Sequence, residues 1–182
     1  MVFSEPIDHP GMMAERKQEH IRICQQEDVE SRQEPFPGVQ LLPCALPEFS
    51  YHDLDLRQTF LGRKFSLPIL ITGMTGGVER GEEINKVLAI CASRAGIPMG
   101  LGSMKLALAE PAYLRLFDVR GVASDVFLIG NLGAVSLNYG VSTEDIIRLV
   151  ERLGLNAFAL HLNALQECIQ PEGERNFSGL LT

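Results

Sequence analysis

Pro68-Ile-Leu-Ile-Thr-Gly-Met-Thr-Gly-Gly77 is an apolar run that ends in a glycine-rich turn. Three further runs with turn residues at their ends follow it, at Ile97–Ser103, Val126–Gly133 and Ala157–Asn163. The starts of the four runs are separated by 29, 29 and 31 residues. Short apolar runs bounded by turn residues are typical of buried parallel strands. The stretch therefore predicts the first of four evenly spaced parallel strands.

Helical patterns fill the intervals between these runs. Between Glu82 and Ala95, and before the natural helix stop at Gly96, the predicted apolar face of the first helix consists of side chains at three- and four-residue steps: Ile84, Val87, Leu88, Cys91 and Ala95. Pro111 suits the first turn of a second helical stretch. A third begins at the capping residues Ser142–Asp145 and ends before Gly154; its apolar face is formed by Ile146, Leu149, Val150 and Leu153.

Alternating strands and helices predict an α/β fold with a parallel sheet. The repeat matches one unit of a TIM-type (β/α)8 barrel, in which about 250 residues form eight units. A doubly wound open sheet gives a similar repeat, but ligand-contacting segments at all four strand ends favour a barrel rim. We therefore expect residues 68–182 to form the first four βα units of a barrel, and the chain to be an incomplete part of a longer protein.

Residues 1–67 predict an irregular N-terminal extension. It contains a short acidic helix candidate at Glu27–Arg32, followed by a proline- and glycine-rich break at Pro35–Gly38. Two β-prone pieces follow, at Val39–Leu42 and Thr59–Phe65.

Composition restricts the classes of function. The 182 residues are 46% hydrophobic and 21% charged, with a net charge of −7. The negative charge argues against nucleic-acid binding. No run reaches the roughly 18 apolar residues of a membrane helix, and no signal peptide is visible. The four scattered cysteines predict reduced thiols in a cytoplasmic protein.

The fourth run carries a polar cluster. Alternation along the strand places His161 and Asn163 on the face opposite Phe158, and Gln166 and Glu167 follow the strand end. Such a cluster indicates a binding site, although a core histidine beside an exposed loop gives the same pattern. Together with Glu172 and Glu174, Glu167 also offers oxygens of the kind that Mg²⁺ prefers, although acidic loops are usually only solvated.

The turns after the earlier runs are rich in glycine. Gly73–Gly77 permits a ligand to approach the backbone closely, as do the turns that contain Ser103 and Asn131. None of them completes a P-loop or a dinucleotide fingerprint. Taken singly, each is best explained as a tight turn, but three at equivalent rim positions favour a ligand.

A basic group stands near the N-terminus. If this segment is helical, Arg16 and His20 are four residues apart and share a face with Lys17 nearby. In an acidic protein this group suits a phosphorylated substrate. A solvated run of surface charge is the simpler explanation.

Seven motifs occur together in one order. They are Arg16-Lys17-x-x-His20, Glu27–Arg32, Leu61-Gly-Arg63, Ile71–Gly77, Gly102-Ser103, Asn131-Leu-Gly133 and His161-Leu-Asn163-x-x-Gln166-Glu167, which runs into Gln170–Gly173. With them, the chain from about Glu15 onward resembles the N-terminal half of type 2 isopentenyl-diphosphate isomerases, a family of FMN-dependent barrel enzymes of isoprenoid synthesis. The sequence departs from that family at Met104, where Gln is usual, and at Lys105.

The resemblance implies isomerisation of isopentenyl diphosphate to dimethylallyl diphosphate, with reduced FMN as the acid–base group, NADPH as the reductant and no catalytic side chain assigned. It implies FMN contacts from Gly73, Met74, Thr75, Ser103 and Asn131. It implies that Arg16, Lys17 and His20 hold the diphosphate, across a subunit boundary in a homo-oligomer. It implies that the substrate pocket contains His161, Asn163 and Gln166, and that Glu167 binds Mg²⁺.

Two alternatives stay open at this point. The first is another FMN-dependent barrel oxidoreductase, such as a 2-hydroxy-acid oxidase, although the basic group and the Gln166-Glu167 pair speak against it. The second is a non-catalytic half-barrel that associates through its open sheet edges. In either case we expect these 182 residues alone to lack isomerase activity.

Overall fold

The computed structural model describes residues 10–33, 36–171 and 173–181 of the chain. The α-helices are α1 (Pro10–Gln26), α2 (Glu79–Ala95), α3 (Lys105–Ala109), α4 (Thr143–Leu153) and α5 (Ala164–Ile169). The strands are β1 (Gln58–Phe60), β2 (Arg63–Phe65), β3 (Met99–Gly100), β4 (Leu128–Gly133) and β5 (Ala157–His161). Short 3₁₀ helices cover Tyr51–Asp53, Pro111–Phe117 and Ala134–Tyr139.

A three-stranded parallel sheet in the order β3-β4-β5 is the centre of the fold. The last three predicted runs supply its strands. The first run contributes only an isolated parallel bridge between Ile71 and Met99. At this bridge the Ile71 amide donates to the Pro98 carbonyl at 3.1 Å, and the Gly100 amide donates to the Ile71 carbonyl at 2.7 Å. The run around Ile71 therefore extends the sheet by a single bridged residue rather than by a full strand.

The predicted TIM-type barrel is wrong for this structure. A barrel closes only when every strand pairs on both sides. Among the described residues, β5 pairs with β4 alone, and the opposite edge ends at the single bridge of Ile71. A separate two-stranded antiparallel sheet holds β1 and β2. The observed architecture is an open parallel sheet with helices, beside a small hairpin.

The predicted helix boundaries around α4 are confirmed. The Ser142 hydroxyl accepts from the Asp145 amide at 3.2 Å, and the Asp145 carboxylate accepts from the Ser142 amide at 2.9 Å. This reciprocal pair is a capping box, which satisfies amides that the first helical turn leaves unpaired. Gly154 ends the helix with φ 58°, in the left-handed region that glycine favours. Leu149 and Leu153 are buried, as their spacing predicts.

The packed face of α2 is displaced by about one position from the predicted one, although Leu88 packs against the core as predicted. The helix buries its small side chains Ala89 and Ala92 completely, whereas Val87 and Cys91 are exposed. Small side chains let the helix backbone approach its neighbours closely. The spacing of large apolar residues consequently misidentified the packed side of this helix. Its end at Gly96, with φ 63°, is confirmed.

The N-terminal extension differs from the prediction in three places, the first of which is that Pro10–Gln26 forms a 17-residue helix in a region expected to be irregular. Helix α1 ends at Gln26, and the predicted helix at Glu27–Arg32 is wrong, since this segment is fully exposed and has no apolar face. The predicted strand at Val39–Leu42 is also wrong, because this exposed segment pairs with no described strand. Part of the break at Pro35–Gly38 falls outside the described residues.

The β-prone piece Thr59–Phe65 is confirmed as a hairpin. Gln58 pairs with Phe65 and Phe60 with Arg63, so the two strands are joined by a turn at Leu61 and Gly62. Both turn residues have positive φ, 47° and 76° respectively. This backbone twist matches the twist of the strands in a two-residue hairpin.

The main core lies between the sheet, α2, α4 and the helical segments that follow β3. Its largest fully buried side chains include Met99, Leu101, Met104, Phe117 and Leu128. Helix α1 contacts α2 and α3 and buries Met13. The fold thereby places one face of α1 beside the carboxyl ends of the parallel strands. Within the described ranges, no helix has the length and apolar character needed to cross a membrane.

Candidate functional site

A cavity of about 560 Å³ lies at the carboxyl ends of the parallel strands. Its floor and walls come from the ends of β3, β4 and β5, from the Leu70–Met74 segment, from α5 and from one face of α1. Every predicted site residue except Thr75 lines this cavity. The substrate, cofactor and metal roles predicted for these residues remain predictions.

Helix α1 presents one face to the cavity. Met13, Arg16, Lys17 and His20 line it, at the three- and four-residue steps that place side chains on one helical face. The Lys17 ammonium donates to the Ser103 carbonyl at 3.1 Å and lies 5.7 Å from the centre of the Phe117 ring. The Arg16 guanidinium donates to the Gln170 side-chain oxygen at 3.3 Å. These contacts hold the basic face of α1 against the strand ends.

The pKa values of Lys17 and His20 on the basic face of α1, which Arg16, Lys17 and His20 form, are lowered. Burial, and to a lesser extent repulsion from Arg16, lowers the pKa of Lys17 from 10.5 to about 8. Partial burial also lowers the pKa of His20, with further contributions from Arg16 and Lys17. Each of these shifts disfavours an added positive charge. An anion in the cavity would relieve this repulsion, so the face is suited to bind one.

His161 and Asn131 form a hydrogen-bonded pair on the opposite wall. Their side chains meet at 3.2 Å between His161 Nδ1 and Asn131 Oδ1. The Asn131 amide group in turn donates to the Leu101 carbonyl. Burial lowers the pKa of His161, while the Glu167 carboxylate acts in the opposite direction. The shift favours a neutral imidazole on this wall.

Glu167 is held by donors on both of its carboxylate oxygens. One oxygen accepts from the Asn163 side chain at 2.6 Å, and the other accepts from the Glu174 amide at 2.9 Å. Among the described residues there is no group of three or more His, Cys, Asp or Glu side chains that could hold a metal ion. Binding of Mg²⁺ at Glu167 therefore stays a prediction, and Glu172 falls outside the described residues.

Sequence reasoning missed a network that fixes the segment after α5. Glu174 accepts from the Ser136 hydroxyl at 2.7 Å and pairs with the Lys105 ammonium at 3.2 Å. The Tyr139 hydroxyl accepts from the amides of Arg175 and Asn176 at 3.0 and 3.1 Å. Ser136 and Tyr139 lie in the 3₁₀ helix directly after β4. Ser136 could have been predicted as a site residue, because it closely follows the end of a predicted strand.

The glycines of the Gly73–Gly77 turn serve the packing of the protein. A Cβ added at Gly73 would lie 1.8 Å from the Leu101 carbonyl oxygen, and one at Gly76 would lie 2.4 Å from the Phe117 ring. Thr75 is turned into the same packing, since its carbonyl accepts from the Gly102 amide at 2.8 Å and from the Asn85 side chain at 3.1 Å. The tight-turn interpretation therefore accounts for the glycines at 73 and 76.

Comparison with known proteins finds no matching family model. The chain is 46% identical over 179 residues to an isopentenyl-diphosphate delta-isomerase from Synechococcus sp.. The aligned residues make up 97% of this chain and 51% of that protein. It is 48% identical over 168 residues to the protein of the same name from Rickettsia canadensis, covering 92% of this chain and 49% of the relative. The chain thus spans about half the length of the curated relatives it matches.

These relatives correct the family prediction. Their name is isopentenyl-diphosphate delta-isomerase, with no type and no flavin specified. The assignment to the type 2, FMN-dependent form is therefore wrong as stated, as are the descriptions flavoprotein, NADP-dependent and TIM barrel that it implied. The similarity is to isopentenyl-diphosphate delta-isomerases whose type is not specified. FMN, Mg²⁺ and NADPH as bound groups are untested.

Proposed function

We propose that this chain provides the substrate-binding part of an isopentenyl-diphosphate delta-isomerase. The observation that carries the proposal is that the basic face of α1 and the polar strand ends line one cavity. A diphosphate needs cationic donors, and Arg16, Lys17 and His20 supply them on one side of that cavity. The relatives, which are 46% and 48% identical over nearly the whole of this chain, support the same function.

We propose that the two walls of the cavity bind the two ends of the substrate, as moving a double bond requires. An isomerase of this kind adds a proton to one alkene carbon and removes a proton from another, so positive charge develops between the two steps. Anchoring the diphosphate on α1 supplies binding energy that positions the distant hydrocarbon. We propose that the other wall, with His161, Asn163 and Gln166, holds the hydrocarbon end of the substrate.

Isothermal titration calorimetry with inorganic diphosphate tests whether Arg16 and Lys17 anchor the diphosphate. Arg16→Met and Lys17→Met should each weaken binding about tenfold or more, the loss that one charge-assisted hydrogen bond of about 1.5–3 kcal/mol gives. The result expected for the wild-type protein is one diphosphate bound per cavity. The readout is the diphosphate affinity and not turnover, because these 182 residues alone are expected to lack isomerase activity.

Arg22→Met is the matched control on the same helix. Arg22 is exposed, pairs with Glu19 at 2.6 Å and does not line the cavity. Its replacement should leave the affinity for diphosphate within about twofold, the effect expected of an exposed ion pair. Equal weakening by Arg22→Met and Arg16→Met would show non-specific attraction and contradict the anchoring role.

We also propose that the protein self-associates in the cytoplasm. The outer edge of β5 has no described partner strand. Four large apolar side chains in β5 and in the residues that follow it are exposed: Leu160, Leu162, Leu165 and Ile169. Unpaired edges with apolar side chains favour association. The four cysteines are free and exposed, which suits a reducing compartment. Sizing chromatography with light scattering should give an oligomer, and a monomer at every concentration would contradict this proposal.

A further inference from the structure

The wall of the cavity opposite α1 contains an imidazole whose orientation is fixed by its neighbours. Asn131 uses its amide nitrogen to donate to the Leu101 carbonyl. The atom that it turns toward His161 is therefore its side-chain oxygen, 3.2 Å from Nδ1. A side-chain amide oxygen only accepts hydrogen bonds, so Nδ1 must carry the proton. In a neutral ring this leaves Nε2 with a lone pair.

Nε2 lies in the cavity wall. A Cβ added at Gly133 would lie 3.4 Å from His161 Nε2 and 3.6 Å from Asn163 Oδ1, and all three residues line the cavity. Among the described residues, nothing donates a hydrogen bond to Nε2. Asn163 directs its amide nitrogen to Glu167 at 2.6 Å, which leaves its own oxygen as an acceptor. The two acceptor atoms thus border the space beside Gly133.

We propose that Asn131 is a positioning residue that holds His161 as its Nδ1–H tautomer and so presents an acceptor, not a donor, to the substrate. This inference rests on the proposed isomerase function. A lone pair at Nε2 favours the positive charge that develops when an alkene is protonated, whereas an N–H at the same place would oppose it. The lowered pKa of His161, caused by burial, keeps the ring neutral near pH 7.

The tautomer can be measured directly on the whole protein. Long-range ¹H–¹⁵N spectra of histidine-labelled protein above pH 7.5 distinguish a protonated from an unprotonated ring nitrogen, and His161→Gln identifies the signal among the four histidines. We expect the Nδ1–H form to exceed the Nε2–H form about tenfold, the ratio that one hydrogen bond supplies. A wild-type ring that is mainly Nε2–H overturns the proposal.

Two variants separate positioning from general support of the fold. Asn131→Asp keeps an acceptor beside Nδ1 and should retain the Nδ1–H form. Asn131→Leu has a similar shape and no acceptor, and it should reduce the tautomer ratio several-fold. An unchanged ratio in Asn131→Leu overturns the proposal. Should that variant fail to fold, the wild-type and Asn131→Asp spectra still decide, because loss of the Nδ1–H form in either contradicts it.

Diphosphate binding by the wild-type protein is a separate readout. A protein that shows the Nδ1–H signal but does not bind inorganic diphosphate supports the assigned tautomer and contradicts the proposed function. A protein that binds diphosphate but has an Nε2–H ring contradicts the tautomer and supports the function. The two failures are therefore distinguishable in one set of experiments.

Discussion

The two ends of the parallel sheet both carry polar side chains, but they use them differently. At the amino end, Arg120 donates to the carbonyls of Ser124 and Val126 at 3.0 and 2.7 Å, and also to the Gly154 carbonyl. It reaches the Asn156 side chain at 3.1 Å, and that side chain accepts from the Leu128 amide at 2.9 Å. These bonds tie the loop before β4 to the loop before β5.

At the carboxyl end, several polar atoms are left facing the cavity. His161 Nε2 and Asn163 Oδ1 lie beside Gly133 in the cavity wall, and burial together with repulsion from Arg16 lowers the pKa of Lys17 on the basic face of α1. The contrast teaches that the number of polar side chains does not mark a site. What marks it is that their hydrogen-bonding capacity is oriented but not consumed within the fold.

Replacing Arg120 should give the largest effect on stability. Arg120→Ala leaves three carbonyls and the Asn156 side chain without their shared donor. Loss of hydrogen bonds from a charged donor predicts a decrease of about 3 kcal/mol in the free energy of unfolding. Urea denaturation measures this change. Arg22→Ala, an exposed substitution, should change the same quantity by less than about 0.5 kcal/mol.

Two results would contradict the contrast between the two ends of the sheet. The first is that Arg120→Ala unfolds no more easily than Arg22→Ala. The second is that Arg120→Ala weakens diphosphate binding as strongly as Arg16→Met does. Arg120→Lys sharpens the test. A lysine keeps the charge but cannot reach several carbonyls with a rigid fork of donors. We therefore expect Arg120→Lys to recover only part of the lost stability.

Glycines at the carboxyl end provide a smaller and more local test. Ala at position 73 would place Cβ 1.8 Å from the Leu101 carbonyl oxygen, so Gly73→Ala should cost about 2 kcal/mol through overpacking. Gly133 has φ −62° and ψ 126°, which alanine adopts freely, and its added Cβ would meet atoms only at 3.4 Å and beyond. Gly133→Ala should therefore change the free energy of unfolding by less than about 0.5 kcal/mol.

Thermal and urea unfolding of the two glycine variants, compared with wild type, checks this pair. Equal destabilisation would mean that Gly133 is packed as tightly as Gly73. The placement of His161 Nε2 and Asn163 Oδ1 at an accessible part of the cavity wall would then lose one of its supporting observations.

The sequence predicted what neighbouring residues decide. The capping box of Ser142 and Asp145, the stop at Gly154 and strand β5 all depend on residues a few positions apart, and all are present. The polar alternation of His161 and Asn163 also survives folding, since both line the cavity. Local signals of this kind are strong because the helix and strand periods leave little choice of face.

Contacts between distant residues were not predictable in the same way. Ser136 meets Glu174, 38 residues later, and Arg120 meets Asn156, 36 residues later; neither partner has a pattern of its own. The barrel prediction was wrong for a related reason, because a regular repeat specifies each βα unit but not whether the sheet closes. The predicted face of α2 was wrong because the helix packs closely against its neighbours through the small side chains of Ala89 and Ala92 rather than through larger apolar ones.

The pH dependence of anion binding tests the charge on α1. The pKa of Lys17 is lowered to about 8, so its ammonium is mostly lost between pH 7 and pH 9. The ratio of diphosphate affinities, wild type over Lys17→Met, should fall about tenfold across this range, because a one-unit excess of pH over pKa leaves about one-tenth of the amine charged. Taking the ratio cancels the titration of diphosphate itself.

Stability should move in the opposite direction over the same range. The folded chain gives up the Lys17 proton near pH 8, whereas the unfolded chain keeps it until about pH 10.5, so the unfolded state binds more protons in between. The free energy of unfolding of wild type relative to Lys17→Met should therefore rise from pH 8 upward. Urea denaturation at pH 7 and pH 9.5 measures the difference. If neither the affinity ratio nor the relative free energy of unfolding changes with pH, Lys17 is solvated. The basic face of α1 would then no longer distinguish the carboxyl end of the sheet from the amino end.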